Sequence, residues 1–289
     1  MRVYGLVYEV FEEERIIGIL QSGKIEYFYA TKSLFNSFSK YLDEDVVIYF
    51  DTNGIKKKTF GKVACKIETV YKIVYPKKHG KEVFYDVNVV KSGISTLINE
   101  IGNHLFLDLE MTMPAYGAPR PFVAEVIQCG LVLCDKYNNI IKEYSTFIKP
   151  TLVKEISNRT KKFLKITQED IETGVTFNEF YDVLSKMIEE YKPMVVVWGK
   201  NDILSLKDAY NINGLPNLND KIRFVDLLKL HKNYFNLKND IGLFACYEKY
   251  IGEKDHQEHN ALTDALYTKV VYENFKKLCN GLINVDFKE

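Results

Sequence analysis

The sequence has few of the features that mark membrane, secreted or disulfide-bonded proteins. Among its 289 residues, no apolar run approaches the roughly 18 residues that a membrane helix needs. The first ten residues, MRVYGLVYEV, lack the long apolar core of a signal peptide. The five cysteines are scattered without a CxxC pair, which indicates neither a disulfide framework nor a thiolate zinc site. We therefore expect a cytoplasmic protein that does not bind membranes.

Net charge is also absent. The 39 Lys and Arg residues balance 39 Asp and Glu residues, so any binding to nucleic acid has to come from local patches. A hydrophobic fraction of 46% is enough for folded cores and excludes a wholly disordered chain. A solvated surface is the simpler interpretation of the lysine clusters near the N-terminus. These clusters comprise Lys56, Lys57, Lys58, Lys62 and Lys66, followed by Lys77, Lys78 and Lys81.

The pattern of the chain predicts two domains. Over residues 1–92, short segments rich in Val, Ile, Tyr and Phe alternate with turn signals, which predicts a small β-barrel with one helical piece at 33–41. Residues 93–103 predict a connector helix. Over 104–289, three strands are followed by alternating helices and strands, which predicts an α/β domain with a mixed sheet. One helix is predicted over 166–190, with Thr167 as its N-cap.

Two acidic residues stand together on the first strand of the second domain. Asp108 and Glu110 are two residues apart, so both side chains leave the same face, while Leu107 and Leu109 point into a core. Neighbouring carboxylates repel each other, and a divalent cation with a preference for oxygen ligands, such as Mg²⁺ or Mn²⁺, would offset that cost. The alternative for this pair is a half-exposed strand with an ordinary polar face.

Three further polar residues lie where an α/β fold places ligands. Asp202 follows the apolar strand MVVVW and a short turn, although a helix N-cap is the alternative for this residue. His259 and Asp264 are five residues apart, roughly 140° around a helix. We therefore expect His259 in the loop or first turn that enters the helix and Asp264 one turn further in. A polar helix start is the alternative for this pair.

Taken together, these motifs resemble those of one enzyme family. The segments FLDLEMT, WGKND and HNALTD, in this order over about 160 residues, resemble the DEDDh 3′–5′ exonucleases of the ribonuclease H-like superfamily. The segment FLKITQEDI is similar to the LTGITQ segment of the family, and with it the chain resembles the ribonuclease T, ERI-like and sporulation-inhibitor-like branch. The resemblance covers the chain from Leu105 to about Leu278 and implies a ribonuclease H-like fold.

The resemblance implies a role for each matching residue. Asp108, Glu110, Asp202 and Asp264 would be the four acids that hold two Mg²⁺ or Mn²⁺ ions, and His259 would be the general base. Two metal ions can stabilise both the attacking and the leaving oxygen at phosphorus. A neutral imidazole can accept a proton from water near neutral pH. The implied reaction releases nucleoside 5′-monophosphates one at a time from a 3′ end.

The resemblance also bears on subclass and substrate contacts. A tyrosine subclass would need tyrosine at position 260, where this chain has Asn260, so the histidine subclass fits. Met111 and Thr112 match the positions that hold the terminal nucleotide. Two residues depart from the family pattern, Met113 and Lys165, each of which replaces a glycine of many relatives. Neither is a metal ligand in the family.

The first domain has a weaker likeness of its own. The segments 25–35 and 41–67 resemble cold-shock and S1-type OB barrels, without the usual glycine-aromatic motif. Alternation places Tyr27 and Tyr29 on one face and Phe28 on the other. We assign Phe28 to the core. The two tyrosines either stack nucleic-acid bases beside the lysines or fill the barrel.

These observations lead to one main expectation and two rivals. We expect a metal-dependent 3′–5′ exonuclease acting on single-stranded nucleic acid, with RNA favoured over DNA by the branch resemblance and the cold-shock-like barrel. A DNA exonuclease for repair or proofreading is one rival, and a non-catalytic RNA-binding or scaffold protein is the other. A homodimer is a further expectation, because homodimers are frequent among such enzymes, although no feature of the sequence demands one.

Overall fold

The computed structural model describes residues 1–43, 45–118, 121–237, 239–252 and 259–287. The chain divides into two compact units, one formed by Met1–Thr96 with Asn233–Asn239 and the other by Leu97–Lys232 with Asp240–Glu289. No helix in the described ranges is long and apolar enough to span a membrane.

The first unit is built around a closed barrel. Strands β1 to β5 are connected in the order β3-β2-β1-β4-β5, and a parallel pairing of β3 with β5 closes the ring. This order, with helix α1 between β3 and β4, is that of a five-stranded OB barrel. Strand β6 is added to the ring beside β5. The elements are β1 Arg2–Phe11, β2 Ile16–Gln21, β3 Lys24–Tyr29, α1 Lys32–Phe38, β4 Val47–Thr59, β5 Lys62–Lys77 and β6 Gly80–Asp86.

The core of the barrel follows the alternation of its strands. Phe28 is buried and packs edge-on against Phe50 with ring centroids 4.8 Å apart, which confirms its assignment to the core. Tyr27 and Tyr29 lie on the opposite side of β3 and are half-buried. The barrel interior is therefore filled by aliphatic and phenylalanine side chains rather than by these tyrosines.

The second unit has a mixed six-stranded sheet in the order β10-β9-β8-β7-β11-β12. The pairs β7–β8 and β8–β9 are antiparallel, whereas β11 is parallel to β7 and β12, and β10 is parallel to β9. The strands are β7 His104–Met111, β8 Val126–Cys134, β9 Ile140–Lys149, β10 Val175–Thr176, β11 Met194–Val197 and β12 Arg223–Asp226. The helices are α2 Val87–Ile98, which joins the units, α3 Asn158–Leu164, α4 Gln168–Thr173, α5 Phe177–Tyr191, α6 Asn201–Asn213, α7 Leu227–Phe235, α8 Leu243–Ile251 and α9 Ala261–Cys279.

Two elements differ from the sequence-based prediction. The single helix predicted over 166–190 is wrong, because α4 ends at Gly174 and α5 begins after Thr176. Gly174 is extended, and a Cβ there would collide with the backbone of Phe147. The predicted N-cap Thr167 is confirmed by a capping box with Asp170.

The connector helix lies earlier than 93–103, at Val87–Ile98. The preceding strand ends at Asp86, whose carboxylate accepts a hydrogen bond from the Asn88 amide at 2.9 Å. This local bond turns the backbone out of the sheet, so the helix begins where the apolar pattern alone would extend the strand.

Candidate active site

Strand β7 presents the first two acids of the candidate site. Leu107 and Leu109 are buried in the core of the second unit, so Asp108 and Glu110 leave the opposite face together, as the alternation predicts. In the antiparallel pairing with β8, Asp108 lies opposite Gly130. The neighbouring strand therefore has no side chain beside Asp108, which leaves room for other groups above this carboxylate.

Asp202 reaches β7 from the first turn of α6. Its Oδ1 accepts a hydrogen bond from the Leu109 amide at 3.1 Å, and the side chain is only 5% exposed. The N-cap of α6 is Lys200, which has no side-chain capping bond. The alternative interpretation of Asp202 as a helix cap is therefore wrong, since its carboxylate is bound to the strand that carries Asp108 and Glu110.

The start of α9 supplies the last two residues. Asn260 is the N-cap and accepts hydrogen bonds from the amides of Leu262 and Thr263. His259 immediately precedes this cap, and Asp264 lies buried in the first turn. This is the arrangement that the five-residue spacing predicts.

The five residues converge on one point of the second unit. Ligand atoms of Glu110, His259 and Asp264 all lie within 4.8 Å of one another. Asp108 is close enough to Glu110, Asp202 and Asp264 for their charges to act on it. Carboxylate oxygens with a single imidazole form a donor set that suits a hard divalent cation. The arrangement could therefore hold such ions between β7, α6 and α9.

Burial and mutual repulsion raise the pKa values of these acids. Burial, followed by the charges of Asp202, Asp264 and Glu110, raises the pKa of Asp108 well above its ordinary value. Burial and the nearby carboxylates raise the pKa of Glu110 to about 8 and that of Asp202 to about 7, although the Leu109 amide opposes the shift at Asp202. Burial raises the pKa of Asp264 to about 6. A bound cation would favour the ionised form of these carboxylates, so the cluster is suited to bind cations.

Helix α3 ends against His259. The ring of Phe163 stacks on the imidazole with centroids 4.3 Å apart and an angle of 23°. Burial, together with the charge of Lys165, lowers the pKa of His259, so the imidazole is neutral near pH 7. Lys165 is the C-cap of α3 with φ of 55°, a left-handed conformation that favours glycine, the residue that the family pattern predicts at this position.

Thr112 is tied to a loop on the far side of the site through Glu125. The Thr112 amide donates to the Glu125 carbonyl at 2.8 Å, and the Glu125 amide donates to Thr112 Oγ1 at 2.9 Å. The buried Glu125 carboxylate accepts bonds from the amides of Thr151, Leu152 and Val153 at 2.5 to 3.0 Å. Glu125 thus fixes the distance between the end of β7 and the loop that precedes α3.

The N-terminus of α3 holds the next residue, Met113. The Met113 amide donates to Thr160 Oγ1 at 2.9 Å, and Ser157 Oγ donates to the Met113 carbonyl at 2.8 Å. Thr112, Met113 and Ser157 border an open cavity of about 400 Å³. Its other lining residues include Phe122, Ile156, Asn158 and Lys161. Thr112, one of the two positions predicted to hold a terminal nucleotide, therefore lines this cavity, and Met111 precedes it at the end of β7.

Sequence reasoning missed four residues that shape the site. Glu125 and Phe163 left no periodic signal, because their partners are distant in the chain. Gln128 accepts a hydrogen bond from the Ala261 amide at 3.2 Å. A Cβ at Gly130 would overlap the backbone of Ala261 and Leu262, so only glycine admits α9 this close to β8. A glycine inside a strand is a signal of such close approach and could have indicated this contact.

The tyrosines predicted to bind substrate lie in the first unit. The Tyr27 hydroxyl donates to Glu9 at 2.7 Å, and the Lys62 ammonium lies 4.1 Å from the centre of its ring. Tyr29 is half-buried on the same side of β3. The Tyr27 ring is thus already in contact with a charged side chain.

Comparison with known proteins gives consistent results. The family model RNase_T, described as "Exonuclease", matches residues 105–272. The chain is 31% identical over 173 residues to the probable 3′-5′ exonuclease KapD of Bacillus subtilis, covering 60% of this chain and 82% of that protein. It is 27% identical over 146 residues to the 3′-5′ exonuclease crn-4 of Caenorhabditis elegans, covering 48% of each chain.

Solved structures share the fold of the second unit. The nuclease domain of 3′hExo, a DEDDh family member bound to rAMP, matches with a TM-score of 0.55 at 18% identity, covering 65% of this chain and 98% of that one. Cell-death related nuclease 4 matches with a TM-score of 0.52 at 19% identity, covering 64% of this chain and 67% of that one. At these identities the likeness establishes a ribonuclease H-like exonuclease fold.

Proposed function

The chain belongs to the exonuclease family that its residues 105–272 match, and we propose that this 3′–5′ exonuclease removes nucleotides one at a time from single-stranded RNA. Members of the DEDDh group use divalent metal ions, and we propose Mg²⁺ or Mn²⁺ here. The observation that carries the proposal is the convergence of four carboxylates and one imidazole from β7, α6 and α9.

Each residue of the cluster has a proposed role. Asp108, Glu110, Asp202 and Asp264 would hold two divalent cations, which when bound neutralise the charge that develops on the phosphate oxygens. His259 accepts a proton from the water that attacks phosphorus. The bond from phosphorus to the 3′ oxygen then breaks, the 3′ oxygen takes a proton from solvent and becomes the new 3′ hydroxyl end, and the nucleoside 5′-monophosphate leaves. The hydrogen bond from the Leu109 amide orients the Asp202 carboxylate toward the cluster.

Two features support the proposed contacts with substrate. The segment of Met111 and Thr112 is fixed by Glu125 beside the cavity of about 400 Å³, which supports its role in holding the terminal nucleotide. In the first unit, the OB order of strands and the exposed Lys56, Lys57 and Lys58 on β4 support a nucleic-acid-binding role for the barrel.

The preference for RNA is supported by neighbours of the same fold. One structure with a TM-score of 0.54 describes recognition of a histone mRNA stem-loop by a 3′-exonuclease, and another contains rAMP. The OB-like barrel also fits RNA, because such barrels commonly bind single strands.

The test compares 5′-labelled RNA and DNA oligonucleotides of one sequence. Each is incubated with the wild-type protein and with Asp108→Ala in Mg²⁺, in Mn²⁺ and in EDTA. We expect a metal-dependent ladder that shortens from the 3′ end, faster on RNA and absent in the variant. Loss of a metal-binding carboxylate typically removes a large part of the rate, here on the order of 10³-fold or more.

The matched control is Asp182→Ala, which removes an exposed carboxylate on α5 away from the cluster. It should cleave at the wild-type rate. A faster DNA ladder would transfer the proposal to a DNA exonuclease. Binding of oligonucleotides without cleavage would instead favour a non-catalytic RNA-binding protein, and full activity of Asp108→Ala would contradict the metal assignment.

A further inference from the structure

A row of tyrosines lies on the outside of the barrel, on the side formed by β1, β4 and β5. Tyr4 and Tyr49 lie opposite each other in the β1–β4 pairing, and their rings stack with centroids 5.5 Å apart and an angle of 13°. Tyr4 is 64% exposed and Tyr8, on the same side of β1, is 58% exposed. Stacked and exposed rings present a flat aromatic surface to solvent.

The row continues onto β5. The Arg2 guanidinium lies 4.9 Å from the centre of the Tyr71 ring, and the Tyr71 hydroxyl is hydrogen-bonded to Asp51 on β4. Arg2 also approaches Asp51 at 3.6 Å. We call Tyr4, Tyr8, Tyr49 and Tyr71 the tyrosine face. Its centre is close to neutral, because the cation and the carboxylate on it compensate each other.

Both ends of β5 carry positive charge. At one end, the β4–β5 turn has exposed Lys56, Lys57 and Lys58, with no acid between positions 52 and 63. At the other end, the β5–β6 turn has exposed Lys78 and Lys81 beside the ion pair of Lys77 and Glu82. Along β5, Tyr71 thus lies between two positively charged hairpins, one shared with β4 and the other with β6.

The side of the barrel formed by β2 and β3 adjoins the β4–β5 hairpin, because β3 pairs with β5 at residues 64–66, but it also carries acidic residues. Its turn between β1 and β2 contains three successive acids, at positions 12 to 14. Tyr27 on β3 is bonded to Glu9 and covered by Lys62, so its ring is not a free stacking surface. Acidic residues near a phosphate backbone weaken binding, whereas lysines and free aromatic faces strengthen it.

We propose that the tyrosine face, rather than the Tyr27 and Tyr29 side, is the surface of the barrel that binds a single nucleic-acid strand. Bases stack on Tyr4 and its neighbours, and phosphates contact the lysines of the two hairpins. This inference rests on the proposed function, because it assigns the contact surface for the same substrate.

The length of β5 sets the extent of the contact. The strand has 16 residues, which at about 3.3 Å per residue gives an upper bound of roughly 50 Å between the two hairpins. A strand that reaches both hairpins therefore covers several nucleotides, within the roughly 4 to 16 that OB barrels bind. Short oligonucleotides should reach only one hairpin and bind more weakly.

The experiment measures the binding of labelled single-stranded RNA by fluorescence anisotropy, using the full chain with Asp108→Ala to prevent cleavage. Tyr4→Ala and Tyr49→Ala should each raise the Kd for a long oligonucleotide about tenfold, as expected for the loss of one stacked base. Tyr4→Phe, which keeps the ring, should bind like the parent. Replacing Lys77, Lys78 and Lys81 with Gln should reduce the slope of log K against log salt by about 2.

Two controls separate this surface from a general effect of tyrosine. Tyr137→Ala removes a tyrosine that is 73% exposed in the second unit with Lys136 beside its ring, and should leave the Kd unchanged. Tyr27→Ala removes the ring that Lys62 covers and should also leave the Kd unchanged. Melting temperatures of all variants verify that the barrel remains folded.

The outcomes are distinguishable from a failure of the proposed function. If the parent binds RNA and both alanine variants bind equally well, the tyrosine face is not the contact surface, and an exposed face for a protein partner becomes the better explanation. If Tyr27→Ala alone weakens binding, the contact lies on the β2–β3 side and the inference is wrong. If the parent binds neither RNA nor DNA, the inference and the nucleic-acid role of the barrel both fail.

Discussion

The acidic residues of the candidate site oppose the folding of the protein that carries them. A carboxyl whose pKa is raised in the folded state favours the protonated form, so its ionisation destabilises the fold increasingly as the pH rises above the value in the unfolded chain, about 4. Glu110, with a pKa of about 8, and the still more buried Asp108 both follow this rule. Function and stability therefore conflict at these positions.

We predict that Asp108→Asn stabilises the metal-free protein. The amide keeps the shape of the side chain and cannot ionise, so the free-energy cost that burial and the neighbouring carboxylates impose on Asp108 is removed and the free energy of unfolding at pH 7 should rise. Thermal melting in EDTA measures this change. Added Mg²⁺ or Mn²⁺ should raise the melting temperature of the wild type more than that of the variant.

The exposed carboxylate of Asp182 again gives the control. Asp182→Asn should leave the metal-free melting temperature and its response to Mg²⁺ as in the wild type, because this carboxylate is exposed to solvent on α5 and lies outside the cluster. A lower melting temperature of Asp108→Asn in EDTA would show that the Asp108 charge is compensated within the protein.

At the scale of elements, the site depends on how closely α9 approaches β8. Gly130 has no side chain, and the backbone at Ala261 occupies the space that a Cβ would need. Gln128 fixes the same point by accepting the hydrogen bond from the Ala261 amide. His259 precedes and Asp264 follows this contact within a few residues, so the strand determines the position of both.

We predict that Gly130→Ala moves the start of α9 and disables the site. The overlap is with backbone, which cannot rotate away, so the free energy of unfolding should fall by about 2 to 3 kcal/mol. The value of kcat should fall more than KM changes, because His259 and Asp264 shift relative to Glu110. Urea denaturation and cleavage assays measure the two effects.

Gly102 offers a matched substitution. A Cβ at this position meets no atom within 4 Å, so Gly102→Ala should change neither stability nor kcat appreciably. If Gly130→Ala has the kcat of the wild type, even with a lower stability, then α9 does not need this contact to position His259 and Asp264.

At the scale of the whole molecule, a buried histidine makes the second unit sensitive to acid. His104 Nε2 is 2.9 Å from the Tyr272 hydroxyl, which connects β7 with α9. Burial, followed by the charge of Lys276, lowers the pKa of His104 to about 4. This pKa is below the value in the unfolded chain, about 6.5. The contribution of neutral His104 to the free energy of unfolding is therefore fully present above pH 6.5 and is lost as the pH falls toward 4.

We predict that protonation of His104 alone lowers the free energy of unfolding by about 2 to 3 kcal/mol between pH 6.5 and pH 4. His104→Gln should be less stable at neutral pH but should lose less stability over this interval than the wild type. Urea denaturation at a series of pH values measures the difference, and equal pH slopes for both proteins would contradict the assignment. The carboxylates are common to both, so their contributions cancel.

The division into two units leads to a prediction for the chain without its barrel. Each unit has a core of its own, so residues 97–289 should retain cleavage of a very short substrate. Removal of 1–96 should raise KM for a long oligonucleotide, because the barrel surfaces are lost, and should leave kcat near the value of the full chain. Equal KM for long substrates would remove the binding role of the barrel.

Much of the second unit could be predicted from the sequence. The alternation of β7, the apolar run of β11 and the turn before α9 are local patterns, and they placed Asp108, Glu110, His259 and Asp264 on the elements where the structure has them. Long helices were less predictable. The pattern over 166–190 is apolar at helical spacing throughout, but the chain is extended at Gly174 and pairs with β9 at Val175 and Thr176, and that contact is not local.

The sequence by itself determined the type of chemistry at the candidate site, because the identity and order of the acids and the histidine are properties of the chain. The tertiary structure decided which atoms meet. It bound Asp202 to the Leu109 amide, stacked Phe163 on His259, admitted α9 at Gly130 and placed Tyr4 against Tyr49 on the outside of the barrel. These contacts join residues from separate elements, and their geometry depends on strand register and packing, which a local pattern does not contain.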